Sequence, residues 1–232
     1  MRQNFALVLF LVALSACGGK AVDDGSPTSP PSTDAPAKND STPAEPSWTP
    51  AAFCAPGSAS AIDRRIFDAL SPRPAADYLA LRHLSGGFDE PDGGRALVTD
   101  AERGNRCATA SDAASCEQRY TSLALDGLFY SYVFYTRGDE VGKIENAAQA
   151  VKLVGTIDSP EDAYFVAGFA GFGATCDGEA KGAYRKTDDG FEIVTQTGGC
   201  NAPVQQVIVR VHGDGSVEEV SRKTTGPETG CM

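Results

Sequence analysis

Histidine is scarce in this sequence of 232 residues, with only His83 and His212, and no Cys-x-x-Cys pair occurs. A structural zinc site draws its ligands from such imidazoles and closely spaced thiols, so neither a metal nor another cofactor is expected. Lysine and arginine form no run, and the net charge is −11. Binding a polyanion requires clustered basic side chains that displace counterions, so nucleic acid is excluded as a partner. The acidity reads as a solubility feature. A bilayer-crossing run is missing as well: the apolar stretch at residues 5–14 is ten residues long, where a spanning helix needs about 20. No serine or cysteine stands at the spacing of a nucleophile motif, and no internal repeat is visible.

The short apolar stretch has another use. Residues 1–16 carry Arg2 as their only charge, then the apolar run, then small residues, the three-part layout of a removable secretory signal. The run closes on Leu14-Ser15-Ala16-Cys17. This tetrad resembles the lipobox of bacterial lipoproteins, a resemblance confined to about the first 20 residues. It implies that Cys17 becomes the first residue of the mature protein and carries acyl chains, palmitate among them, on its thiol and amine. Several chains hold firmly, since each buried methylene contributes about 0.8 kcal/mol. Gly18 stands where an inner-membrane retention signal would place Asp, which points to a lipid-anchored location at the outer membrane of the cell envelope.

With Cys17 assigned to lipid, Cys54, Cys107, Cys116, Cys176, Cys200 and Cys231 remain. An even set in an oxidising compartment reads as a disulfide framework. Separation favours Cys107 with Cys116 and Cys176 with Cys200, leaving Cys54 with Cys231 to join the domain ends. Residues 17–52 comprise the lipidated cysteine and a Ser/Thr/Pro-rich stretch that cannot bury a core. They read as a disordered tether spanning about 30–35 Å as a flexible chain. Trp48 is expected to pack on the domain edge. Residues 53–232 are long enough for a single globular domain.

Within that domain Ile62, Ile66, Phe67 and Leu70 mark one face of a helix over residues 59–70, stopped by Pro72 and Pro74. Tyr78, Leu79, Leu81 and Leu84 suggest a second short helix from Ala75 to Gly86-Gly87, with His83 in its last turn. Asp89, Glu90 and Asp92 then form an acidic loop without EF-hand spacing. Thr109 and Asp112 resemble a capping box opening a helix to about Leu125, with Cys116, Tyr120 and Leu123 facing inward. Residues 128–136, dense in aromatics, read as a strand central in a sheet. Arg137-Gly138-Asp139 resembles an integrin-binding tripeptide, and a glycine turn leaving that strand accounts for it. A helix is expected over residues 144–154 with Gly155 as its stop, and another at Ser159-Pro160-Glu161-Asp162. The latter carries Phe165, Phe169 and Phe172 on one stripe.

From residue 180 the pattern turns to strands. Residues 182–186 and 191–197 flank Asp188-Asp189-Gly190, and residues 204–211 and 217–220 flank His212-Gly213-Asp214-Gly215, giving two hairpins. Val207, Val209 and Val211 mark the core face. The expected fold is α+β: a helical N-terminal part packed on a mainly antiparallel sheet of four or five strands, stapled by disulfides.

Lipidation at Cys17, the tether and the disulfides favour a membrane-anchored, non-catalytic binding or scaffold module, its partner an envelope protein or glycan. The alternatives are an envelope hydrolase using carboxylates, with His83, Asp89, Glu90 and Asp92 as candidate catalytic residues, or a carrier binding a small apolar ligand through Phe165, Phe169 and Phe172.

Overall fold

Residues that alternate between core and water, bounded by turn-forming glycines, build most of this domain. The computed structural model describes residues 47–54, 64–85, 96–123, 131–174, 182–198 and 201–228, all within the compact unit Ala44–Met232. In chain order the elements are β1 (Thr49–Pro50), α1 (Arg64–Ala69), β2 (Tyr78–Ser85), β3 (Ala96–Gly104), α2 (Ala113–Thr121), β4 (Ser131–Arg137) and β5 (Glu140–Ile144). They continue with α3 (Ala147–Val154), α4 (Pro160–Phe169), β6 (Gly173–Ala174), β7 (Ala183–Thr187), β8 (Gly190–Thr197), β9 (Pro203–His212) and β10 (Val217–Glu228).

The architecture is mixed α+β, with two antiparallel sheets where the sequence suggested one. The first has the order β3-β2-β4-β5; the second runs β1-β7-β8-β9-β10, with β6 pairing β8. Part of the N-terminal half that was expected to be helical is therefore sheet. The segment from Tyr78 to Ser85, read as a helix, is β2, paired on one side with β3 and on the other with β4. Leu79 and Leu81 enter one core cluster, while Tyr78 and Ala80 enter another. A strand buried on both faces loses its alternation and looks continuous in sequence. The strand expected at residues 128–136 is observed as β4 and is central, paired with β2 and β5.

Helix boundaries moved for local reasons. Helix α2 is capped by Asp112, whose carboxylate accepts from the Ser115 N–H at 3.0 Å, and ends at Thr121. Thr109 is no cap: its hydroxyl donates to the Asp77 carboxylate at 2.8 Å. Helix α3 starts at Ala147 behind an Asn146 cap, because Ile144 belongs to β5. Helix α4 starts as read, with Ser159 accepting from the Asp162 N–H at 3.0 Å and Pro160 in the first turn. The Asp188-Asp189 turn between β7 and β8 ends on Gly190 with φ +136, where a Cβ would lie 2.1 Å from the Val211 carbonyl oxygen. Only glycine fits there.

One core cluster unites both sheets and three helices. It takes Val133 and Ile144 from the first sheet, Ile193, Val207, Val209 and Val211 from the second, Ile66 and Phe67 from α1, Leu153 and Val154 from α3, and Phe165 and Val166 from α4. In α4 the six consecutive residues Asp162 to Ala167 are all buried. A helix without a wet face over almost two turns is packed on all sides. On the opposite face of the first sheet, Tyr78, Ala80, Tyr132 and Phe134 pack with Tyr120 of α2. Cys107 and Cys116 form the expected disulfide, and Cys54 is also disulfide-bonded. Cys17, Cys176, Cys200 and Cys231 lie outside the described residues.

The β4–β5 turn accounts for Arg137-Gly138-Asp139. Gly138 has φ +56 and donates its N–H to Asp77 at 2.9 Å. Asp139 accepts from the N–H and hydroxyl of Ser111, both at 2.8 Å. Arg137 reaches Glu140 at 3.1 Å and the Pro74 carbonyl oxygen at 3.1 Å. Glu140 also meets Lys152 at 2.6 Å and accepts from the Tyr135 hydroxyl at 2.8 Å. The hydrogen bond from Lys152, with help from Tyr135 and Arg137, holds the Glu140 carboxyl at about 2, below its ordinary 4.5. A depressed folded-state value stabilises above pH 4.5, and that stabilisation is lost as pH falls toward 2. Glu140→Gln is therefore expected to unfold with a shallower dependence on pH in that window, measured by denaturant melts across it.

Candidate functional site

Of the proposed catalytic cluster, His83 alone falls among the described residues; Asp89, Glu90 and Asp92 lie outside them. His83 sits on a strand, not at a helix end, and its Nδ1 is 2.7 Å from Oδ2 of Asp100. Asp100 is brought there by a bulge. Leu81 pairs with Ala101 and Arg82 with Thr99, so Asp100 is the extra residue of β3. The pair orients an imidazole and supplies no nucleophile.

The second histidine is partnered by residues that sequence proximity did not suggest. Its neighbour Asp214 instead accepts from the N–H and hydroxyl of Ser216, at 2.8 and 2.7 Å, closing its own turn. His212 Nδ1 lies 2.8 Å from Asp189 in the adjoining hairpin turn, and Nε2 lies 3.6 Å from Glu218. The hydrogen bond to Asp189 leads the causes that raise the imidazole above its ordinary 6.5, and Glu218 adds to it. A raised folded-state value gives stability that is complete below pH 6.5 and lost as pH rises through the raised value. Compared with His212→Gln, the native protein is expected to lose stability on alkaline titration from pH 6.5, read as a falling difference in urea midpoint.

The phenylalanine stripe belongs to the core. Phe165 is buried and meets Phe169 edge-on at 5.1 Å between ring centres, and Phe169 and Phe172 pack against the same cluster, partly buried. Two shallow cavities lie elsewhere. One, of about 390 Å³, is lined by Leu70, Pro72, Asp77 and Arg103 among others. Its charged groups are already engaged: Asp77 accepts from Thr109 and Gly138, and Arg103 donates to the Asp68 and Leu70 carbonyls at the end of α1. The other, of about 450 Å³, is lined by Ala147, Val151, Ala170, Asp214 and Val217 among others. Among the described residues no three of His, Cys, Asp and Glu are grouped to hold a metal ion.

Two charged arrangements escaped the sequence reading. On one face of the second sheet, Arg185, Glu192, Arg210 and Glu218 stand opposite one another on four successive strands. Glu192 lies 2.6 Å from both arginines, and Arg210 is 3.8 Å from Glu218. These hydrogen bonds keep the Glu192 carboxyl below its ordinary value against the opposing effect of burial, the largest single influence on it. Trp48 extends the row, its ring 4.9 Å from the Arg185 guanidinium, so it does pack at the domain edge. On the first sheet, Arg82 and Arg106 approach the Tyr120 ring at 5.2 and 5.1 Å. The first is a cross-strand row that becomes readable only when strand register is known, and the second joins β2, the turn after β3 and α2.

Among the described residues the exposed large apolar side chains are Trp48, Val220 on β10, and the adjacent pair Leu97 and Val98 on β3, the last two at 37% exposure each. No protein-family model, curated protein or solved structure matches this chain.

Proposed function

We propose that this chain is an exported, lipid-anchored protein of the cell envelope whose domain is a non-catalytic binding module. The observation that carries the reading is Leu14-Ser15-Ala16-Cys17 closing a short apolar run. The Cys107–Cys116 disulfide supports an oxidising compartment. Acyl chains on Cys17 would hold the protein to the membrane, with Gly18 favouring the outer one. The polar stretch after them would keep the domain clear of the surface. The commitment of His212, Asp77, Arg103 and Glu192 to structural bonds favours recognition over chemistry. An envelope protein is the favoured partner and a glycan the alternative.

The test is cross-linking of the full-length protein in cells beside Cys17→Ala, with fatty-acid labelling. Acyl label and membrane association that disappear in the variant, and a partner captured only by the anchored form, are expected. A variant that keeps its label overturns the anchor. An anchored protein that captures no partner, while its domain turns over an envelope substrate, overturns the binding module.

A further inference from the structure

We propose that the outer edge of β3 accepts an extended segment of a partner protein, cationic in its first half and apolar in its second, as a fifth strand of the β3-β2-β4-β5 sheet. The inference rests on the binding-module reading and names the surface it would use.

Sheet edges expose unpaired N–H and C=O groups, and folded proteins protect them with short strands, charges, prolines, bulges or covering elements. Among the described residues the other edges are protected in those ways, β6 by being only two residues long. Strand β1 is two residues long and contains Pro50. Strand β10 is long, but it bears Glu218, Glu219, Arg222, Lys223 and Pro227 and changes register at three places. Strand β5 is flanked by α2 and α3, with Arg119 donating to the Asp139 carbonyl and Lys152 to Glu140.

Strand β3 differs. Among the described residues it pairs only with β2. Residues Ala96 to Glu102 include no proline, lysine or arginine, and residues 97–100 are all exposed. Leu97 and Val98, being successive, point to opposite faces of the sheet, so an added strand could cover an apolar side chain on each. A row of main-chain donors and acceptors flanked by apolar side chains is what β-strand addition requires.

Charge selects the occupant. The strand's second half carries Asp100 and Glu102, and Glu102 accepts from the neutral Tyr78 hydroxyl at 2.5 Å. Asp100 is 2.7 Å from His83, Arg103 is turned to the carbonyls of α1, and Arg82 and Arg106 lie over the Tyr120 ring. A second copy would bring the same acidic strand and a net charge of −11 to the contact, which like-charge repulsion disfavours. In an antiparallel addition, a partner read from its N-terminus meets Glu102 and Asp100 first and then Val98 and Leu97. Basic residues followed by aliphatic ones are the matching order.

The probe is the blocked synthetic peptide Thr-Lys-Thr-Lys-Thr-Val-Ile-Thr, titrated into the full-length protein in detergent micelles. Two further peptides carry N-methyl groups on alternate amides, in the two possible phases. A strand bonds through every second residue, so one methylated form is expected to bind like the parent and the other to fail. Val98→Lys is expected to weaken the parent peptide about tenfold and Val220→Lys to leave it unchanged, both with native melting behaviour, since rim charges act on encounter and register. Exchanging the peptide lysines for glutamates is expected to weaken it to a similar extent. Equal binding by both methylated forms, no saturation by the parent, or no effect of Val98→Lys overturns the proposal. So does a concentration-dependent dimer abolished by Val98→Lys, which assigns the edge to a second copy. In cells the two readings separate: a partner captured equally by native protein and Val98→Lys leaves the binding module standing and removes β3 from it, whereas no capture by either removes the module itself.

Discussion

Replacing Tyr164 by alanine is expected to lower the unfolding free energy by about 3–5 kcal/mol, the range for emptying a buried aromatic site. Tyr164 is 1% exposed in the middle of α4, where the helix has no face in water. Its ring meets Phe53 edge-on at 4.8 Å, joining the start of the domain to its central helix. Its hydroxyl lies 2.9 Å from the Ala183 carbonyl oxygen and 3.1 Å from that of Val194, fastening the helix to β7 and β8. Burial raises the phenol well above its ordinary value, so it stays a donor throughout the accessible pH range. Tyr164→Phe keeps the ring and removes that donor, with an expected cost of about 1–2 kcal/mol. Denaturant unfolding of the three proteins, compared at a common m value, checks the order native, Phe, Ala. A loss below about 1 kcal/mol for alanine would mean that the neighbours close the cavity and that α4 is not the packing centre.

The helix that carries Tyr164 was legible because its start is written locally, in a capping serine, a first-turn proline and two acids. The β7–β8 and β9–β10 hairpins were legible for the same reason: Asp189-Gly190 defines a turn, and Val207, Val209 and Val211 alternate toward the core. What escaped reading depended on distant partners. Tyr78 to Leu81 face two separate cores, so the segment shows no period of two. Leu97, Val98 and Thr99 sit on an edge exposed on both faces, and edge strands lack the burial that imposes alternation. Thr109 does not cap α2: Asp112 holds that position, and the Thr109 hydroxyl donates to Asp77, thirty-two positions away.

The site residues divide in the same way. His83 and His212 stood out as rare residues, but their carboxylate partners could not be chosen from proximity in sequence. Asp100 reaches His83 only through the bulge. Asp189 reaches His212 across two hairpins, while Asp214 is held by Ser216. Phe165, Phe169 and Phe172 favour a core stripe over a ligand-binding one already in sequence. The burial of Phe165 in one cluster with Ile193, Val207 and Val209 of the second sheet places it in the core.

Replacing Cys107 and Cys116 together by alanine is expected to cost about 2–3 kcal/mol, from the loop entropy restored to the unfolded chain when a closure of nine positions is opened. Local geometry places the effect in this segment. Cys107 holds a left-handed backbone conformation at φ +55 and donates its buried N–H to the Thr136 hydroxyl at 3.1 Å; Cys116 is fully buried on α2. Competing with the cross-link are the carboxylates that also hold residues 107–116: Asp77 on Thr109, Asp139 on Ser111, and Asp112 on the helix start. If the double variant loses the expected amount in urea melts under oxidising conditions, the covalent closure keeps α2 over the Tyr78, Tyr132 and Phe134 face, and stability becomes tied to the redox state of the compartment. A loss below about 1 kcal/mol would assign that task to the three carboxylates. In that case the acid limb of the stability profile, more than reductant, would release α2, because Asp139 is held below its ordinary carboxylate range by its Ser111 hydrogen bonds and loses them when protonated.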